Sequence, residues 1–155
     1  MRDPRHAFES DTEIGALVSA FESCSFHPSQ FKHYQHLAVA LWYVSRLPYD
    51  EAVERMRNGI RKLASAYGKT GYHETITLFW LRLVRSFLAD TEPPYSLAAL
   101  GNQLAAKYGD KKLIDEYYST AALTSPKAKT EWVEPDLKSI DFAQERTPGA
   151  VQSHQ

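Results

Sequence analysis

The sequence specifies an all-α fold: a compact single-domain helical bundle of about five or six helices with an extended C-terminal segment. Three observations predict it. Apolar residues recur at spacings of 3, 4 and 7 through most of the chain, and no stretch alternates with the period of two that a half-buried strand requires. The links between the periodic stretches are short and rich in Pro, Gly and Ser, so consecutive helices should be antiparallel neighbours. The chain has 155 residues, 43% hydrophobic and 24% charged, which suits one soluble core. The helical domain is expected over residues 10–140. The polar stretches 1–9 and 141–155 are expected to be disordered tails, with little surface to bury.

Each element has a local cause. Ser10-Asp-Thr-Glu13 has the form of a capping box, and Ile14, Leu17, Val18 and Phe21 then repeat along one face, giving a helix over about 12–23. Pro28 breaks the chain before a second helix over about 29–46, whose uncharged run 37–44 makes it central. Asp50, Glu51 and Glu54 favour the N-terminal end of a third helix, striped by Val53, Met56, Ile60 and Leu63. Gly59 inside it costs about 1 kcal/mol against alanine, so the close approach of another backbone is expected there. Gly68 caps that helix, and Thr70 is expected to cap a fourth, with His73 in its first turn and Ile76, Phe79, Trp80, Leu83 and Phe87 as its stripe. Residues 90–94 end it. A fifth helix is expected over 96–107, a sixth over 111–119, and one further turn at 125–129. Pro135 disfavours helix at the residue before it, so residues 132–137 should be extended.

Charge and composition exclude some classes. The formal net charge is −1, so there is no global field to draw the chain to nucleic acid. The apolar runs are too short or too interrupted to span a membrane, and the first residues lack a signal-peptide core. Cys24 is the only cysteine, so no intramolecular disulfide can form, and a reducing cytoplasm is the expected compartment. The oligomeric state is left open.

The chemistry concentrates at two helix starts, 33–43 and 72–77. In an up-down-up arrangement the second and fourth helices are parallel, and their N-termini share one end. His33 and His36 lie three apart on one face, and His73 begins the other helix. Tyr43 and Trp80 lie two turns below, as aromatic floors. Helix N-termini keep imidazole neutral and able to coordinate, and they favour anions. The favoured reading is a site in which His33, His36 and His73 bind a divalent transition metal, with Glu74 as a fourth ligand or a catalytic acid–base group. Tyr43, Thr77 and Trp80 would border a small-molecule ligand. Zinc and iron suit such imidazoles, as do copper and nickel. Oxidoreductase and hydrolase chemistry are both compatible with an open coordination position. Two alternatives stand beside it: a metal-free binding module for an anionic small molecule, and a structural or partner-binding bundle. A Gly-rich phosphate loop, the paired Glu-x-x-His of di-iron bundles and the zinc-protease H-E-x-x-H are all absent.

His33–Leu37 (H-x-x-H-L), Tyr72–Thr77 (Y-H-x-T-x-T) and Trp132–Leu137 (W-x-E-P-D-L) resemble segments of a group of uncharacterised bacterial proteins. Tyr117-Tyr118-Ser119 and Ser125-Pro-Lys-Ala-Lys129 are similar to that group as well. The resemblance covers roughly residues 25–140 and implies that these segments form one unit. It implies no activity or cofactor.

Overall fold

The computed structural model describes residues 7–69, 71–92 and 95–142. They form α1 (Asp11–Glu22), a 3-10 turn (Pro28–Gln30), α2 (His33–Arg46), α3 (Tyr49–Ala66), α4 (Glu74–Ala89) and α5 (Leu97–Tyr108). A 3-10 helix (Lys111–Glu116), α6 (Thr120–Thr124) and α7 (Pro126–Thr130) follow. No strand occurs among the described residues. No helix among them is long and apolar enough to cross a membrane.

The uncharged α2 takes the central position and touches α1, α3, α4 and α5. Leu37, Ala38, Val39, Ala40 and Leu41 are buried in succession, which a helix covered on several sides requires. α1 starts as its capping residues dictate: Ser10 Oγ accepts the Glu13 N–H at 3.1 Å, while the Glu13 carboxylate reaches back one residue further, to the Glu9 N–H at 2.8 Å.

Several boundaries differ from the sequence expectation. The helix expected from residue 29 is split. Phe31 leaves the helical region (φ −92°, ψ 87°) because its ring turns inward and packs against Phe21 and Phe26, and α2 restarts at His33. α4 begins one residue after His73, which is its N-cap; the expected cap, Thr70, lies outside the described residues. The expected sixth helix is a six-residue 3-10 segment followed by the short α6, while α7 is the further turn expected at 125–129. Gly59 is crowded by a side chain and not by a backbone: a Cβ there would meet the Phe21 ring at 2.3 Å.

The packed unit also extends past 10–140. Phe8 is buried, and its backbone N–H and C=O are both held by the Asn102 amide of α5, at 2.8 and 2.9 Å. At the other end, Phe142 is buried against Phe79 and Tyr117. A single aromatic ring in an otherwise polar stretch is enough to anchor it. Residues 1–6 and 143–155, the rest of the expected tails, lie outside the described residues.

Candidate functional site

The starts of α2 and α4 border one cavity of about 530 Å³. α2 and the residues before it contribute Phe31, Lys32, His33, His36 and Ala40. α3 contributes Met56 and Ile60. Gly71, Tyr72, His73, Ile76, Thr77, Trp80 and Leu81 come from the α4 side, and Lys111 and Ile114 from the 3-10 helix. The three histidines, Thr77 and Trp80 are thus brought to one cavity. Tyr43 and Glu74 are not among the lining residues.

The imidazoles have different surroundings. His33 rests edge-on against Trp80, with ring centroids 4.3 Å apart, and its Nε2 lies 3.2 Å from the Tyr108 carbonyl, which only a protonated Nε2 can satisfy. Burial lowers its pKa, and Lys111 nearby acts in the same direction. His36 lies on the Phe31 ring at 3.8 Å between centroids. Burial, then the neighbouring His33, lowers its pKa to about 4, so it is neutral at physiological pH.

His73 has both nitrogens engaged. Nδ1 accepts the Ile76 N–H at 3.1 Å, capping α4, and Nε2 donates to the Leu123 carbonyl at 2.6 Å. A backbone N–H can only donate and a carbonyl can only accept, so the ring is fixed as the neutral Nε2–H tautomer. A metal at either nitrogen would displace one of these bonds. Among the described residues, no three His, Cys, Asp or Glu side chains are grouped so as to hold one ion.

Glu74 is engaged away from the cavity. Its carboxylate takes a two-point bond from Arg57, Nε to Oε1 at 3.0 Å and Nη2 to Oε2 at 2.5 Å, and it accepts the Tyr72 hydroxyl at 2.7 Å. The Arg57 guanidinium holds its pKa below the ordinary carboxylate value. A carboxylate so fixed is a poor proton donor near neutrality. Burial pushes the Tyr72 phenol up to about 12. Thr77 Oγ1 donates to the His73 carbonyl at 2.9 Å, the usual back-bond of a helical threonine. Tyr43 is buried, and its hydroxyl donates to Glu22 of α1.

Lys32 and Lys111 were missed as site residues from the sequence. Both are exposed and line the cavity, and among the described residues they are the only lysine, arginine, aspartate or glutamate side chains that do. Lys32 immediately precedes His33, a placement visible in the sequence. Lys111 arrives from a 3-10 helix more than 70 residues on, and nothing local marks it.

Thr75, between His73 and Thr77, has a different task. It is fully buried; its Oγ1 donates to the Glu131 carbonyl at 2.7 Å and accepts the Val133 N–H at 3.2 Å. These bonds fasten the extended segment 131–137 to the start of α4. Tyr117, Tyr118 and Ser119 hold the same strap. The Tyr117 carbonyl accepts the Leu137 N–H at 2.9 Å, the Tyr118 hydroxyl donates to the Val133 carbonyl at 2.6 Å, and the Ser119 N–H donates to Asp136 at 2.8 Å. Trp132 lies under Arg82, 3.8 Å from guanidinium carbon to ring centroid, and its indole N–H donates to Glu134. The Leu137 side chain is 58% exposed, so the strap is held there by backbone and not by burial.

No protein-family model, curated protein or solved structure matches this chain.

Proposed function

We propose that the protein is a metal-free binding module for a small anionic molecule, held in the cavity between the starts of α2 and α4. One observation carries the reading: Lys32, Lys111 and three imidazoles share a cavity on whose walls no carboxylate stands among the described residues, with Met56, Ile60, Trp80, Leu81 and Ile114 as its apolar lining. A concave apolar pocket of this size with a few convergent polar groups is the usual form of a small-molecule site. Its two ammonium groups set the sign of the ligand. The reading assigns binding and no reaction, because Glu74, the carboxylate at the start of α4, is held by Arg57.

The metal reading remains the rival, since His33, His36 and His73 border the same space. What weighs against it is the engagement of both His73 nitrogens. Elemental analysis of protein purified without a histidine tag, paired with a thermal-shift panel of small anions and their neutral analogues, tests the choice. The expected result is no stoichiometric zinc or iron, and a higher Tm with anions only. Stoichiometric metal whose removal by chelator lowers Tm would overturn the proposal.

A further inference from the structure

Resting on that reading of the cavity, we propose that its ligand is a ring-bearing monocarboxylate, seated with the ring inward and the carboxylate at the mouth. The orientation follows from burial. Lys32 and Lys111 are exposed, whereas Phe31 and Trp80, on the same walls, are 7% and 9% exposed. A molecule that pairs its charge with the ammonium groups must therefore direct its body toward the rings.

The class follows from the walls. They present the rings of Phe31, His33, His36, Tyr72, His73 and Trp80, and two pairs among them already meet at ring distances, His33 with Trp80 at 4.3 Å and His36 with Phe31 at 3.8 Å. A planar ring entering such a space can make offset or edge-to-face contacts that a saturated body of equal area cannot. The head group follows from the donors. No arginine among the described residues lines the cavity, and the α4 first-turn amide at Ile76 is already taken by His73 Nδ1. The guanidinium fork that grips phosphate at two points is therefore lacking among the described residues, while two lysine ammonium groups suffice for a carboxylate.

The test is calorimetric titration of the full chain with four probes: phenylacetate, cyclohexylacetate, phenylacetamide and phenyl phosphate. Phenylacetate is expected to bind roughly two- to tenfold more tightly than cyclohexylacetate. It should also bind more tightly than phenyl phosphate and at least tenfold more tightly than the neutral amide. Equal or tighter binding of cyclohexylacetate would overturn the ring assignment, and tighter binding of phenyl phosphate the carboxylate assignment. Either result would leave the anion site standing. Equal binding of the amide, or no binding by any probe, would remove the anion-site reading and this proposal together. Lys111→Gln, at an exposed position, should weaken phenylacetate severalfold and leave the amide unchanged; an unaffected phenylacetate affinity would refute the placement of the carboxylate at the mouth.

Discussion

Replacing Thr75 with valine keeps the shape of a fully buried β-branched side chain and removes one hydroxyl. That hydroxyl makes two bonds to the strap, at 2.7 Å to the Glu131 carbonyl and 3.2 Å from the Val133 N–H. Each is worth about 1 kcal/mol net. Glu131 is exposed, so its carbonyl can turn to water, whereas Val133 is half-buried and its N–H is harder to satisfy elsewhere. The sum is a loss of about 2 kcal/mol, which corresponds to a fall in Tm of about 4–8 °C for a chain of this size. Thr75→Ser keeps both bonds and loses only a methyl group. The discriminating assay is amide exchange at Val133 in the three proteins: fast in the valine variant, slow in wild type and the serine variant. A valine variant with wild-type Tm and a protected Val133 amide would refute the role assigned to Thr75.

Three further outcomes are expected. Glu74→Gln should lower stability by about 2 kcal/mol at neutral pH by leaving Arg57 with Glu54 alone, as chemical denaturation would measure. The folded pKa of Glu74 lies below the ordinary glutamate value of 4.5, so the carboxylate's contribution is complete above that value and lost as pH falls through the folded one; the wild-type and mutant curves should converge in acid. His36 is depressed from 6.5 to about 4, so between those values the unfolded chain takes up a proton that the native state refuses. The wild type should therefore lose on the order of 3 kcal/mol across that window through this residue, and His36→Gln should show a flatter Tm profile there; parallel profiles would contradict the burial argument. Gly59→Ala should destabilise by about 1–2 kcal/mol despite its gain in helix propensity, because the buried Phe21 ring cannot retreat; equal or greater stability by denaturant titration would contradict it.

The helical fold and the meeting of the α2 and α4 starts were legible in the sequence because both depend on local periodicity and short links. The uncharged run in α2 marked the central helix, and Thr77 back-bonds as a helical threonine usually does. Tyr43 was placed on the right face but at the wrong depth: the cavity reaches Ala40 on that face, and Tyr43, a turn further on, bonds to Glu22 of α1. Glu74 was read as a first-turn acid facing the ligand, yet its direction is set by Arg57, on α3, which no pattern around residue 74 reveals. Lys111 and Thr75 were hidden for a related reason: each takes its meaning from a partner far along the chain. Phe8 and Phe142 were assigned to tails because composition averages out a lone ring, whereas packing responds to that ring individually.

The strap has a consequence for the order in which this protein assembles and opens. Its bonds to Thr75 join residues 56 and 58 positions apart, while α2, α3 and α4 meet through short links. Closing so long a loop costs several kcal/mol of chain entropy, on the order of 3–4, and little burial at Leu137 offsets it. The strap should therefore dock after the helices have gathered and come away before they separate, as a low-stability cooperative unit. Because His73 both borders the cavity and bonds to Leu123, just before that strap, release of 120–137 would loosen one wall of the cavity while the α1–α5 core stays closed. Exchange rates at the cavity rim would then follow a partial opening whose free energy lies well below that of global unfolding.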